Sequence, residues 1–235
     1  MTATKDRTAR QVTMAKHRKI EAVGDVAKKA VGGLTVVPDE EYHEGGMSDT
    51  EKERIYATMS KIPKKFRRAK YTDILDEDDA ITLAKMYGAE GAGWLFIYGQ
   101  SGSGKTMLAS VVAKHILGTH AIPIEWMNAV EIMNELKSTW GKNNGNERDI
   151  ISKYTAPGLL VMDDFGAEGE DEHAIKTMYL ILNKRSERMY PTVITSNLGL
   201  GDIQQSSVRI ADRIFRETEG RRIKMDNGSY FMRGK

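Results

Sequence analysis

The decapeptide IYGQSGSGKT, residues 97–106, places three glycines directly before a lysine and a threonine. It fits the spacing G-x-x-x-x-G-K-[ST], starting at Gly99 and ending at Thr106. Glycine reaches backbone conformations that turn several N–H groups toward one point, where they can surround a chain of phosphates. A chance glycine-rich turn is the alternative, but the apolar run WLFIY (94–98) before it and an amphipathic segment after it are the context that this motif requires. The stretch therefore predicts a phosphate-binding loop between a strand and a helix.

Each residue of this loop has a place in the predicted nucleotide site. We expect ATP to be bound by Gly99, Gln100, Ser101, Gly102, Ser103, Gly104, Lys105 and Thr106. The ammonium of Lys105 would reach the β- and γ-phosphates, and the helix N-terminus would add positive potential. The Thr106 hydroxyl would ligate a metal ion. The predicted cofactors are therefore ATP and Mg²⁺.

Strands and helices alternate along the chain from residue 62 onward. Short apolar runs, typical of strands buried on both faces, cover 94–98, 121–128, 158–166 and 191–197. Helical periodicity covers 104–118, 129–140 and 171–189, with Gly118 as a stop signal, and 141–148 (GKNNGNER) is typical of an exposed loop. This alternation predicts an α/β fold, a three-layer P-loop domain with a central parallel sheet.

Composition limits the class of protein. The chain has 235 residues, a formal net charge of +2 and no cysteine, which excludes disulfides, thiolate zinc sites and a cysteine nucleophile. No apolar run approaches the roughly 18 residues of a membrane span, so we expect a cytoplasmic protein without a membrane partner. Residues 1–60 are predicted to form a basic, mostly helical or flexible N-terminal extension and linker before an ATPase domain at 61–235. The basic charge is typical of either a solvated surface or a nucleic-acid contact.

Polar residues follow two of the predicted strands. Asp163 and Asp164 end the run at 158–166, where Asp163 would hold Mg²⁺ and Asp164 would orient and deprotonate the attacking water. Two aspartates that merely open a turn are the alternative, and Asp164 is a methylene shorter than the usual glutamate. Glu168 is near enough in sequence to substitute or help. Asn197 follows the next strand, where it would touch the γ-phosphate or the water unless it is only a turn residue.

Ordered motifs run through most of the chain from residue 62 onward. They are IPKKFRRAKYTDI (62–74), YGQSGSGKTMLAS (98–110), LLVMDDFGAE (159–168), NKRSERMYPTVITSNLGL (183–200), IADRIFR (210–216) and GRRIKMDNGSY (220–230). Together they resemble the DnaC/IstB-like helicase-loader ATPases of the AAA+ class. The resemblance implies an AAA+ ATPase that forms nucleotide-dependent homo-oligomers, binds single-stranded DNA and helps to place a replicative, DnaB-type helicase on DNA.

The resemblance also implies roles for single residues. Arg213 matches the arginine finger of the family, which would reach the phosphate bound by a neighbouring subunit; a plain helix-surface position is the alternative. Its neighbours Arg209 and Arg216 are expected to be structural, and Arg221 lies where some AAA+ proteins carry a second sensing arginine. Trp140 is the better candidate among the tryptophans for stacking on bases. The basic N-terminal segment is a candidate helicase-binding arm, a DNA contact or a solvated tail.

Other functions share the phosphate-binding loop. An IstB-like transposition helper of the same family would act on double-stranded DNA with a transposase, but the motif at 62–74 looks more like the loader branch. A small-molecule kinase would need an acceptor pocket and an arginine-rich lid, where this sequence has paired aspartates and Asn197. A scaffold that keeps a nucleotide only for stability would bind DNA equally with ATP and ADP. The favoured hypothesis is a helicase loader with Asp164, Asn197 and Arg213 in catalysis.

Overall fold

The computed structural model of this chain describes residues 49–74, 78–120, 122–139, 145–166 and 172–226. Most of the predicted N-terminal extension, together with Glu168 and Trp140, lies outside the described residues. The hypotheses attached to those residues therefore stay predictions.

A five-stranded parallel sheet forms the centre of the fold, in the order β2-β3-β4-β1-β5. Its strands are β1 (Trp94–Gly99), β2 (Ile124–Asn128), β3 (Leu159–Phe165), β4 (Thr192–Ser196) and β5 (Arg222–Met225). The four strands expected from the apolar runs are confirmed, although β2 begins three residues later than predicted. The short fifth strand was not anticipated, because only Ile223 and Met225 of it are apolar and buried.

Helices cover both faces of this sheet. They are α1 (Asp49–Lys61), α2 (Asp78–Glu90), α3 (Lys105–His120), α4 (Ala129–Thr139), α5 (Gly145–Tyr154), α6 (Glu172–Glu187), α7 (Leu200–Ser206) and α8 (Val208–Glu217). Two short 3₁₀ turns, Lys64–Phe66 and Tyr71–Asp73, connect α1 to α2. The helix α1 ends at Lys61 and the next residue, Ile62, is fully buried. The division of the chain at residue 60 stays a prediction.

Two local predictions were wrong. The expected loop at 141–148 contains the start of α5. The sequence there is mostly polar and shows no clear helical pattern of apolar residues. Its acidic Glu147 in the first turn and Lys153 in the last complement the helix dipole, and Ile150 and Tyr154 bury its inner face. Gly118 does not stop α3, which continues to His120, because a packed helix tolerates glycine at a cost of about 0.5–1 kcal/mol.

Apolar side chains of strands β1 to β4 alternate between two clusters, one on each face of the sheet. In β1, Leu95 and Ile97 join the cluster that packs on α2 and α3, whereas Trp94 and Phe96 join the cluster beneath α4 to α8. A sheet buried on both faces must be apolar throughout, which explains the unbroken run of apolar residues in β1. The three-layer α/β/α architecture predicted from the alternating pattern is confirmed.

Arg185 of α6 links chain segments by hydrogen bonds at the edge of the sheet where β3 and β4 begin. The residue is 1% exposed, and its guanidinium uses all five N–H donors: Nε binds Thr192 Oγ1 at 3.0 Å, and Nη1 and Nη2 bind four backbone carbonyls. These carbonyls, at 2.6–3.1 Å, belong to Tyr154, Ala156, Gly158 and Pro191. Burial lowers the pKa of Arg185 to about 9, so the group remains protonated at neutral pH. It therefore joins the segments that lead into β3 and β4.

Among the helices that the structure describes, none is both long and apolar enough to cross a lipid bilayer.

Candidate functional site

The strand order brings the predicted site residues to one edge of the sheet. Because β4 lies between β3 and β1, the carboxyl ends of these three strands are neighbours. The phosphate-binding loop follows β1, Asp163 and Asp164 lie at the end of β3, and Asn197 directly follows β4. Ligands of open parallel sheets bind at this edge, where the chain leaves the strands. The topology thus assembles the loop, both aspartates and Asn197 in one place.

Gly99 shows why this loop needs glycine. Its φ is +137°, and a Cβ there would lie 2.2 Å from the backbone oxygen of Met225 in the neighbouring β5. Gly104 has φ +100°, and a Cβ there would meet only side-chain atoms at 3.7 Å or more, so its constraint is conformational instead of steric. The helix α3 begins immediately afterwards at Lys105, which turns the first N–H groups of a 16-residue helix toward the loop. Backbone geometry therefore supports the predicted anion cradle.

Lys105 lies inside the loop that it would serve. The residue is 5% exposed, and its ammonium donates to the carbonyl oxygens of Gly99 at 3.0 Å and Gln100 at 2.6 Å. Burial lowers the pKa of Lys105, and the nearby carboxylates of Asp164 and Asp163 act in the opposite direction. The cation is thus held between the loop and the two acids.

The Ser103 hydroxyl is a second polar group turned into the loop. It is buried, and no hydrogen-bond partner for it occurs in the part of the chain that the structure describes. A buried polar atom without a partner costs about 1–3 kcal/mol unless something satisfies it. A phosphate oxygen of a bound nucleotide would do so, which fits ATP as the ligand.

Asp163 receives two hydroxyl hydrogen bonds on a single oxygen. Thr106 Oγ1 donates to its Oδ1 at 3.0 Å, and Thr195 Oγ1 donates to the same atom at 2.6 Å. Burial raises the pKa of Asp163. The hydrogen bond from Thr195 lowers this pKa, the negative charge of Asp164 raises it, and the hydrogen bond from Thr106 lowers it. A hydroxyl oxygen beside a carboxylate oxygen offers hard oxygen ligands of the kind that Mg²⁺ prefers. The pair Thr106 and Asp163 therefore fits the predicted metal site.

Asp164 has a left-handed backbone, with φ +56°. It lies in an irregularity of the β3–β4 pairing between Met162 and Phe165, and its N–H donates to Thr195 Oγ1 at 3.0 Å. Aspartate and asparagine tolerate this conformation better than longer side chains do. The backbone thus gives a reason for the short acid at a position where glutamate is usual.

Ser196 ties the end of β4 to the end of β3. Its Oγ donates to the carbonyl of Phe165 at 2.6 Å and accepts the N–H of Leu198 at 3.0 Å. Asn197, between these two bonds, is exposed at the edge next to the aspartates. A fixed backbone with an accessible amide is the arrangement expected of a residue that touches a ligand.

Thr195 was missed by the sequence analysis, although it connects the two acids. It is fully buried, donates to Asp163 and accepts from the Asp164 N–H. The available signal was a hydroxyl residue one position before the end of the buried strand TVITS (192–196), where an apolar residue would be expected.

Arg213 does not join the site of its own chain. Its guanidinium faces α6, where Nη1 donates to Ser186 Oγ at 2.8 Å and Nη2 donates to Asn183 Oδ1 at 2.6 Å. Both partners lie near the end of α6, which returns the chain from the carboxyl edge of β3 to the amino edge of β4. Glu217 lies 4.0 Å away, so the positive charge is only weakly compensated.

The other three arginines near Arg213 also lack a position at the loop. Arg216 pairs with Asp212 at 2.9 Å, and Arg221 pairs with Glu90 of α2 at 3.4 Å. Arg209 is exposed on α8. The second sensing role considered for Arg221 therefore has no support from its contacts.

The arrangement of loop, paired acids and strand-end amide can be compared with known proteins. A family model described as "IstB-like ATP binding protein" matches residues 35–232. The chain belongs to this IstB-like family. The family consists of P-loop ATPases of the AAA+ class, which confirms the resemblance inferred from the motifs.

Relatives of this IstB-like protein are found among replication proteins. The replicative helicase loader DnaC of Escherichia coli (strain K12) is 24% identical over 140 residues, 58% of this chain and 57% of that protein. The chain thus spans little more than half the length of that curated relative. The crystal structure of DnaI is 24% identical with a TM-score of 0.56, covering 70% of this chain and 93% of that one. The replication initiator DnaA bound to AMPPCP and single-stranded DNA is 18% identical with a TM-score of 0.59, covering 71% and 51%. These two structures support the fold.

Proposed function

We propose that this protein is an ATP-dependent helicase loader of DNA replication. It binds single-stranded DNA and a replicative, DnaB-type helicase, and it hydrolyses ATP at an interface between its own subunits. The observation that supports the ATPase activity is that Thr106 and Thr195 both donate hydrogen bonds to Asp163 beside the phosphate-binding loop. The loader assignment is supported by the similarity to the DnaC proteins.

In this proposal the loop from Gly99 to Thr106 binds the triphosphate of ATP. Backbone N–H groups at the start of α3 and the ammonium of Lys105 compensate its negative charge. Thr106 and Asp163 would hold Mg²⁺, which would supply positive charge to the bound triphosphate.

Hydrolysis needs a base and a group that orients water. The Asp164 carboxylate accepts the proton of the attacking water, and the exposed Asn197 amide orients that water or the γ-phosphate. Both lie at the edge of the sheet that carries the loop. Phosphate is released into water, which separates this reaction from phosphoryl transfer to a bound acceptor.

Arg213 completes the site of a neighbouring subunit. Its hydrogen bonds to neutral Asn183 and Ser186 orient the guanidinium without neutralising it. A cation that lies away from the loop of its own chain, with only a weak ion pair at 4.0 Å, is suited to act on a second copy. The active form is then a homo-oligomer joined head to tail, which ATP stabilises.

Subunit mixing tests this proposal. Lys105→Ala removes nucleotide binding, whereas Arg213→Ala keeps it but removes assembly-stimulated hydrolysis, so each variant alone is inactive. A 1:1 mixture restores about one quarter of the wild-type rate, because about one interface in four pairs an intact loop with an intact arginine. A mixture as inactive as its components refutes the role of Arg213 in trans.

The N-terminal extension, 1–60, is proposed to carry the contact with the helicase, while 61–235 forms the AAA+ domain. A cytoplasmic location belongs to the same proposal. Retention of a DnaB-type helicase on single-stranded DNA, measured with ATP and the full-length chain, tests it. Equal retention with a chain that lacks 1–48 would exclude these residues from the contact with the helicase.

The transposition helper is the second candidate, since the matching family model is named for IstB. That protein would act on double-stranded DNA together with a transposase. Competition between single- and double-stranded oligonucleotides with Mg-ATP present separates the two. Preference for the single strand supports the loader, and preference for the duplex supports the transposition helper.

A further inference from the structure

The segment KIPKKFRRAK, residues 61–70, carries six cations and no acid. It follows α1 and includes the first 3₁₀ turn, and we call it the basic strap. Neither the phosphate-binding loop nor the proposed catalytic residues belong to it. Such a density of one charge on a short segment is unfavourable unless an anion compensates it.

The backbone of the basic strap is fixed to the domain. Ile62 and Ala69 are buried in the core, at 0% and 9% exposure. Arg67 donates through Nε to the carbonyl of Ile62 at 2.9 Å and through Nη2 to that of Ser60 at 2.6 Å. The ammonium of Lys114 on α3 binds the carbonyl of Ala69. The strap is thus a preorganised support, so a ligand would not have to order it.

The remaining cations point outward. Lys64, Lys65, Arg68 and Lys70 are exposed. Within the part of the chain that is described, the ion pairs involve none of these four side chains, whereas Lys61 pairs with Glu125. The nearest acid in sequence, Asp73, accepts the backbone N–H of Lys70.

The character of the strap surface favours a polyanion over an apolar partner. The large exposed apolar side chains of the described residues all lie elsewhere. Phe66 is half-buried against the core, and the Lys65 ammonium lies 4.6 Å from its ring centre. A partner of this surface would be held mainly by charge, as a phosphate backbone is.

The strap also contacts α3, the helix that follows the phosphate-binding loop. Lys65 is left out of the proposed surface because its ammonium already contacts the Phe66 ring. Lys64, Arg68 and Lys70 are exposed and are available to an anion.

We propose that Lys64, Arg68 and Lys70 form a binding surface for the phosphodiester backbone of a nucleic-acid strand. In the proposed loader this strand is single-stranded DNA, so the inference rests on that function and assigns it a place. Because the strap is joined to α3, the strand passes along the helix that begins at the phosphate-binding loop. Each of the three cations neutralises one phosphate.

The salt dependence of DNA binding tests this surface. The probe is a fluorescently labelled single-stranded oligothymidine, titrated with the full chain and Mg-ATP at several salt concentrations. Each phosphate contact with a single strand contributes about 0.7 to the slope of log K against log salt. The triple variant Lys64→Gln, Arg68→Gln, Lys70→Gln should therefore lose about 2 from that slope.

A matched variant controls for total charge. Lys176→Gln, Arg148→Gln and Lys224→Gln remove the same number of lysines and arginines from exposed positions elsewhere, and this variant should keep the wild-type slope. Thermal unfolding and ATP binding should be nearly unchanged in both variants, since the strap cations are exposed and the two control lysines make only exposed ion pairs. A strap variant with the wild-type slope overturns the inference.

The failure of the strap and the failure of the proposed function give different results. If the wild type binds the single strand and the strap variant binds it equally, only the strap is refuted. If the wild type binds neither single strand nor duplex, both are refuted. If the strap variant loses slope on a preferred duplex, the phosphate surface stands and the loader proposal fails.

Discussion

Replacing Thr195 with valine should separate metal binding from nucleotide binding. Valine has nearly the shape of threonine but no hydroxyl, so the substitution removes the 2.6 Å bond to Asp163 and the acceptor of the Asp164 N–H. The site is fully buried, so water cannot readily replace either bond. Asp163 then retains only the bond from Thr106.

The expected size of the effect follows from these two bonds. A hydrogen bond to a charged group contributes about 1.5–3 kcal/mol, and 1.4 kcal/mol is tenfold in an equilibrium constant. We expect the Mg²⁺ concentration for half-maximal ATPase activity to rise about tenfold or more. The bond from Thr195 opposes the upward pKa shift that burial causes in Asp163, so its loss moves that pKa further up. The acidic limb of the pH–rate profile should therefore move to higher pH.

Steady-state ATPase rates, measured against Mg²⁺ and against pH, test this expectation. Thr195→Ser is the control, since it keeps the hydroxyl and loses only a buried methyl group, at about 1 kcal/mol of stability. The serine variant should retain the wild-type pH profile and Mg²⁺ dependence. If valine and serine behave alike in both measurements, Thr195 has only a packing role and the reasoning is refuted.

Three further substitutions probe the backbone and the base of the sheet. Gly99→Ala places its Cβ against the Met225 oxygen and should lower both the unfolding temperature and the affinity for ATP, which calorimetry measures. Gly201→Ala is the control, because its Cβ meets nothing within 4 Å, and it should change neither quantity. Asp164→Asn keeps a side chain that tolerates the left-handed backbone, so it should reduce kcat about 10²–10⁴-fold with unchanged ATP affinity; unchanged turnover would exclude it as the base. Arg185→Met leaves four backbone carbonyls without their hydrogen-bond donor. It should lower the free energy of unfolding, measured with denaturant, by about 3 kcal/mol or more.

The sequence predicted the sheet well because burial on both faces leaves a strong signal. The runs that became β1, β3 and β4 are apolar throughout and flanked by turn residues, so each was found within one residue at either end. The helix α5 was not predicted because most of its sequence is polar. Among its described side chains, Ile150 and Tyr154 are the buried apolar ones. Strand order was not predicted, yet it is the strand order that puts Asn197 between the loop and the aspartates.

The chemistry of the site was predictable only where it follows from the spacing of residues along one segment. The loop and the paired aspartates each lie in a single continuous stretch, whereas the Thr195 hydroxyl reaches Asp163 across 32 positions of sequence. The left-handed backbone of Asp164 has no sequence signature, because it arises where β3 loses its regular pairing with β4. The same irregularity brings the Asp164 N–H to Thr195, so one hydroxyl fixes the backbone of the proposed base and the carboxylate of the proposed metal ligand. A longer acid at position 164 would gain reach but strain this backbone, and the short aspartate is therefore a consequence of how the two strands meet.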